Sequence, residues 1–111
     1  MSQISREYVS DLTTAIASGE TASGSLNIKG MAGGSFQLPA AFTGVAITFK
    51  GSHNGTAWTT VAVEGLETNP LTVSQGNSYP FPAKCFEFPL LQLVSGSAEG
   101  AARTIATYLH G

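Results

Sequence analysis

Apolar residues recur at every second position over short stretches of this chain, and most stretches end at glycine, proline, asparagine or serine. Such alternation marks a strand with one buried face, whereas a helical face repeats every three to four positions. Val45, Ile47 and Phe49 alternate with Ala46, Thr48 and Lys50 and predict the clearest strand. Leu26 and Ile28 predict a short one between Gly24 and Gly30. Residues 58–63 predict another, with Val61 and Val63 on one face. Leu71 and Val73 mark a short strand after Pro70, and residues 90–96 a buried one. Thr104, Ala106 and Tyr108, set against Ile105 and Leu109, predict the closing strand.

Helical spacing is confined to residues 5–17, through Tyr8, Val9, Leu12 and Ile16, with Ser5 as a cap and Glu7 in the first turn. Thr13 and Thr14 are weak helix formers, and the same residues read as β. The expectation is an extended N-terminal arm over residues 1–17 that runs into a strand near residues 12–18. Residues 31–44 are dense in glycine and hold Pro39, which cannot donate to a ladder, so they read as a loop or an edge segment. Residues 78–90 hold three prolines and read as irregular, packing Tyr79, Phe81, Phe86 and Phe88 from loops. About 7–8 short strands separated by turn signals predict an all-β chain, an antiparallel β-sandwich or jelly roll. The domain proper would be residues 18–111.

Composition sharpens this. Only 11% of residues are charged, against about 25% in a typical globular domain. Either much of the surface lies against partners, or this is a Ser/Thr/Gly-rich β domain. Arg6, Lys29, Lys50, Lys84 and Arg103 are scattered singly and the net charge is −2, which offers no basic track for nucleic acid. No apolar run approaches the ~18 residues of a membrane helix. The first residues lack the apolar core of a signal peptide, so the expectation is synthesis in the cytoplasm without processing. Cys85 is the single cysteine, which excludes an internal disulfide and a cysteine-based metal site; beside Phe86 it reads as a small buried hydrophobe.

Catalytic constellations are scarce. Asp11 is the single aspartate, His53 and His110 are far apart in sequence, and no GxSxG elbow seats a serine. Glu64 and Glu67 flank a Gly–Leu turn, where solvated acids are ordinary. No His, Asp or Glu cluster has ligand spacing, and the Gly30–Gly34 run lacks the lysine and helix of a phosphate loop. No cofactor is implied, and the chain reads as no enzyme. Asn54–Gly55–Thr56 fits a glycan acceptor pattern, but Asn54–Gly55 reads better as a tight hairpin turn, both residues tolerating positive φ. Trp58 then either caps the core or forms an aromatic platform for a sugar or a partner.

The order of these elements resembles something known. A strand AITFKGS leads to HNGTAW and TTVAVEG, and an LVSGSA strand end precedes a closing ARTIATYL. Over residues 12–110 this is similar to small β-sandwich structural proteins of tailed bacteriophages. These typically show a TFxxSxDGxxW/F hairpin, an xLxSG strand end and an xRxIxLxL closing strand. Asn54 stands where that pattern has an acidic residue, and His110–Gly111 replaces a charged end. The resemblance implies a non-enzymatic virion protein, a capsid decoration or cement subunit at the capsid surface. Its partners would be the major capsid protein and its own copies in a homotrimer. Contacts expected on this reading are Ile4, Tyr8, Val9 and Leu12 of the arm, His53, Asn54 and Trp58 of the hairpin, and Tyr79 and Phe81 of the aromatic loop. The same hairpin resembles carbohydrate-binding jelly rolls. The rival expectation is therefore a tail or head-fibre module that binds host glycans through Trp58 and Tyr79.

Overall fold

Alternation along the chain is converted into two antiparallel sheets that share one core. The computed structural model describes residues 9–63 and 68–111, with the side chains of residues 9–11 outside that description. The elements are β1 (Val9–Ile16), β2 (Leu26–Asn27), β3 (Gly33–Gln37), β4 (Ala46–Ser52), β5 (Thr59–Thr60), β6 (Leu71–Thr72), β7 (Ser78–Pro80), a short 3-10 turn (Ala83–Glu87), β8 (Leu90–Ser95) and β9 (Arg103–His110). One sheet has the order β1-β9-β3-β7. The other has the order β2-β8-β4-β5, with β6 also pairing with β4.

Four inward positions are those the alternation marks: Ile47 and Phe49 of β4 and Ile105 and Leu109 of β9 are fully buried. Leu91 and Leu93 are the buried positions of β8, whereas Val45, marked with Ile47 and Phe49, precedes β4 and is 72% exposed. Phe36 of β3 meets Phe49 of β4 edge-on at 5.8 Å between ring centroids, which joins the two sheets. Phe81 completes the cluster, 5.0 Å from Phe36 and 5.9 Å from Phe49. Cys85 is buried within this core, as expected. Polar side chains that point inward are bonded: Thr107 donates to the Leu12 carbonyl and Thr14 to that of Gly24.

Four expectations change. Residues 9–16 are not an arm but a strand, in register with β9 over its whole length. Ile4 and Tyr8 lie outside the described residues. Residues 31–44 contain β3, an interior strand between β9 and β7. Pro39 does not prevent it, because the strand ends at Gln37, and Gly33–Gly34 allow close backbone approach to β9. A side chain on Gly34 would collide with the Tyr108 carbonyl oxygen and Leu109. Within the proline-rich stretch, Ser78–Pro80 forms an edge strand, where a missing N–H costs nothing. The strand expected over residues 58–63 shortens to Thr59–Thr60.

That shortening has an identifiable cause. The outer edge of β4 pairs with β6 at Ala46 and Ile47 and with β5 at Lys50 and Gly51. Phe49 falls between them, and the Asn69 side chain fills the gap. Asn69 Oδ1 accepts from the Phe49 N–H at 2.9 Å, and Nδ2 donates to the carbonyls of Phe49 (3.0 Å) and Val61 (2.7 Å). A side-chain amide thus stands where a strand's peptide group would be.

Candidate functional site

Alternation that buries one face of the first sheet leaves the other to solvent. Cross-strand register places Thr13 with Ala106, Ala15 with Thr104, Gln37 with Ala106 and Ser78, and Ser35 with Tyr108 and Pro80. Among the described side chains of this face none is acidic or basic apart from His110, and the register sets one acidic residue, Asp11, opposite Tyr108. Tyr108 stands at its centre, 45% exposed. Toward one end, Gln37, Leu38, Pro39, Ala40, Gly76, Thr104 and Ala106 line a shallow depression of about 300 Å³. The solvent face of an antiparallel sheet is ordinarily polar, so a face of Thr, Ala, Ser, Gln and Tyr this poor in charge is suited to burial against another surface.

Edges point the same way. β2 is two residues long, β7 ends in Pro80, and the outer edge of β4 is covered by β5, β6 and Asn69. β1 is eight residues long and contains no proline. Residues 23 and 24 cover only its far end, where Ile16 bridges Ser23 and Gly24 N–H donates to the Ala15 carbonyl. From Val9 to Thr13, among the described residues, no strand covers its outward edge. A long open edge is a template for a further strand.

The loop between β4 and β5 is built around one oxygen. Asn54 Oδ1 accepts from Thr56 N–H (2.9 Å), Ala57 N–H (3.0 Å), Thr56 Oγ1 (3.1 Å) and Ser52 Oγ (3.2 Å). Ser52 Oγ in turn accepts from the N–H groups of Gly55 (2.8 Å) and Asn54 (3.2 Å). Gly55 has φ +83°, and no residue other than glycine has positive φ among the described residues. The expected two-residue hairpin turn needs positive φ at Asn54 as well. It is therefore replaced by a longer side-chain-organised loop across residues 53–58. His53 is exposed and lies on Phe88, ring centroids 5.2 Å apart. The Phe88 ring covers Gly51, so closely that a methyl built there lands 2.7 Å from both Cδ atoms and closer still to Cγ. Gly51→Ala should therefore lower unfolding stability by about 1–3 kcal/mol. A thermal melt checks this, and an unchanged midpoint would show that the ring yields freely.

The other expected contacts separate into surface and interior. Trp58 is half-buried and stands outside the core cluster. Tyr79 packs its ring 5.9 Å from Phe36, and its hydroxyl accepts from Ser74 N–H at 2.7 Å. This lowers the hydroxyl's pKa through the Asn77 side chain and the Ser74 backbone. The half-buried ring is thereby held against Phe36 and by its hydroxyl. Phe81 is 6% exposed in the core, so it is packing and not a surface contact. Leu12 packs against the core from β1. Val9 pairs with His110 at the start of β1. His110 itself lies over Gly33, in the sheet opposite the one whose loop carries His53. Glu64 and Glu67 lie outside the described residues.

Sequence reasoning missed the main charged cluster. Glu99, in a glycine-rich turn, is wholly buried. Its Oε1 accepts from Arg103 Nε (2.9 Å), Thr43 Oγ1 (2.9 Å) and Thr43 N–H (3.0 Å), and its Oε2 from Gly44 N–H (3.0 Å) and Ser95 Oγ (3.1 Å). Its backbone joins residues 19 and 20: Gly19 N–H donates to its carbonyl, and its N–H to that of Glu20. Burial alone would raise the carboxyl pKa. Arg103 and then the Thr43 and Gly44 donors outweigh it and hold the group at about 2. With both oxygens engaged, this carboxylate ties Thr43 and Gly44 to the two ends of its own turn at Ser95 and Arg103, while its backbone holds residues 19 and 20. The spacing Ser95, Glu99, Arg103, four residues apart each time, is the signal that was available.

Comparison of the chain with protein-family models, curated proteins and solved structures found no match.

Proposed function

We propose that this protein is a non-enzymatic structural subunit of a tailed-bacteriophage virion, a jelly-roll β-sandwich that decorates and cements the capsid. On this reading it binds the major capsid protein and its own copies, as a homotrimer at the capsid surface. The observation that carries the reading is the charge-poor outer face of the β1-β9-β3-β7 sheet, continuous with the open edge of β1. Such a face pays little desolvation on docking, and the edge can extend the sheet into a neighbour. The strand-and-turn resemblance supplies the virion context. A subunit that binds only the assembled shell stabilises it by mass action, by about 4 kcal/mol per site at a thousandfold excess over Kd.

The test adds purified protein to capsids that lack it and follows their thermal disruption. A raised disruption temperature is expected. Thr104→Glu and Tyr108→Lys on the outer face should weaken capsid binding by about tenfold or more, equivalent to ~1.4 kcal/mol, without lowering the protein's own melting temperature. Undiminished binding by both variants, or no binding by the wild type, would overturn the reading. The glycan-binding alternative keeps Trp58 and the 53–58 loop, with Tyr79 half-buried against Phe36. It requires glycan-array binding that Trp58→Ala abolishes with folding intact.

A further inference from the structure

The Asn54–Gly55 pair lies outside the sheet face on which the proposed function rests, and it is the most chemically labile peptide in the chain. Glycine carries no Cβ to shield its amide nitrogen, so that nitrogen can attack the preceding asparagine side chain. In this reaction Gly55 N loses its proton and bonds to Asn54 Cγ. Ammonia leaves with Nδ2, and a five-membered succinimide forms. Water then opens the ring. If the bond between Cγ and Gly55 N breaks, aspartate remains on an unaltered backbone. If the original peptide bond breaks, isoaspartate remains and the main chain is one carbon longer.

The folded loop holds the two reacting groups on different partners. Gly55 N–H is committed to Ser52 Oγ at 2.8 Å. The side-chain oxygen Oδ1 of Asn54 accepts from Thr56 N–H, Thr56 Oγ1 and Ala57 N–H, with Ser52 Oγ as a fourth donor at 3.2 Å. Cyclisation has to break the first bond and turn Cγ away from the others. Ser52 is 2% exposed and fixed at the end of β4 opposite Leu90, so the latch is part of the sheet. The loop also uses Asn54 in one sense alone. Every bond to its side chain is accepted by Oδ1, so an aspartate would keep each of them and strengthen them by its charge. An isoaspartate would displace Gly55 from Ser52.

We propose that Asn54 is a deamidation site latched by Ser52: the closed loop keeps it an amide, opening of the loop releases it to react, and the loop retains the aspartate product in the same fold. The conversion takes the net charge from −2 to −3 and puts the new charge at an exposed loop tip.

The full chain is aged at mildly alkaline pH, folded and in urea, and peptide mapping by mass spectrometry follows the amide-to-acid conversion at Asn54. Conversion in urea should exceed that of the folded chain by at least about tenfold, because reaction is gated by opening. Ser52→Ala, confirmed folded by its melt, should convert about tenfold faster than wild type. Asn54→Asp should melt at or above the wild-type temperature. Equal rates for folded and urea-treated chains would overturn the proposal. So would a folded Ser52→Ala protein ageing at the wild-type rate, or an Asn54→Asp protein melting several degrees lower.

Discussion

Glu99→Ala should reduce unfolding stability by about 3–5 kcal/mol, the cost of breaking a buried ion pair by removing one partner. For a domain of this size that is roughly 12–25 °C in melting temperature. The substitution strands the N–H groups of Thr43 and Gly44, the Ser95 hydroxyl and the Arg103 guanidinium, all of which donate to this carboxylate. The same group sets an acid limit. Its pKa falls from the ordinary 4.5 to about 2 on folding. Between those values the unfolded chain therefore binds more protons than the folded one. Its contribution is full above about pH 4.5 and is lost as pH falls toward 2. That difference corresponds to about 3 kcal/mol. Urea melts of wild type and Glu99→Ala at neutral pH and near pH 3 check both points: the gap between the proteins should shrink in acid. A variant within 1 kcal/mol of wild type at neutral pH would show that Thr43 and Gly44 are held to the Ser95–Arg103 turn by other contacts.

Asn69 should rank close behind. Asn69→Ala removes three hydrogen bonds and leaves the Phe49 N–H unpaired inside the sheet, at a cost of about 2–4 kcal/mol. Asn69→Asp is the sharper test, being the same shape. It keeps an acceptor for Phe49 N–H but sets a second oxygen against the carbonyls of Phe49 and Val61, and should cost at least as much. Denaturant melts give the size. Hydrogen exchange at the Phe49 amide gives the place, since that proton should lose protection in Asn69→Ala ahead of its neighbours in β4. Unchanged exchange at Phe49 would mean that the amide does not stand in for a strand there. Small domains are stable by only about 5–15 kcal/mol, so either substitution brings the protein near its folding limit.

Both residues show where sequence reading runs out. A glutamate in a Gly/Ser turn looks solvated, and nothing local tells that Thr43 and Gly44 arrive from 55 or more positions away to bond it. An asparagine before a proline looks like a turn residue, and its partners lie 8 and 20 positions back. The candidate surface was half legible. That the outward residues Thr104, Ala106 and Tyr108 are uncharged can be read directly from the chain. That Thr13, Gln37 and Ser78 join them on one face depends on β1 and β3 flanking β9, an order no local pattern encodes.

From the sequence alone follow the β class, the inward set Ile47, Phe49, Ile105 and Leu109, and the burial of Cys85, because period-two alternation and side-chain hydrophobicity act between near neighbours. Strand order, the interior place of β3, the open edge of β1, the withdrawal of Phe81 from the surface, and the Glu99 and Asn69 clips were decided by tertiary structure. Each depends on which distant backbone groups need a partner once the core has closed, and that need exists only in the assembled fold.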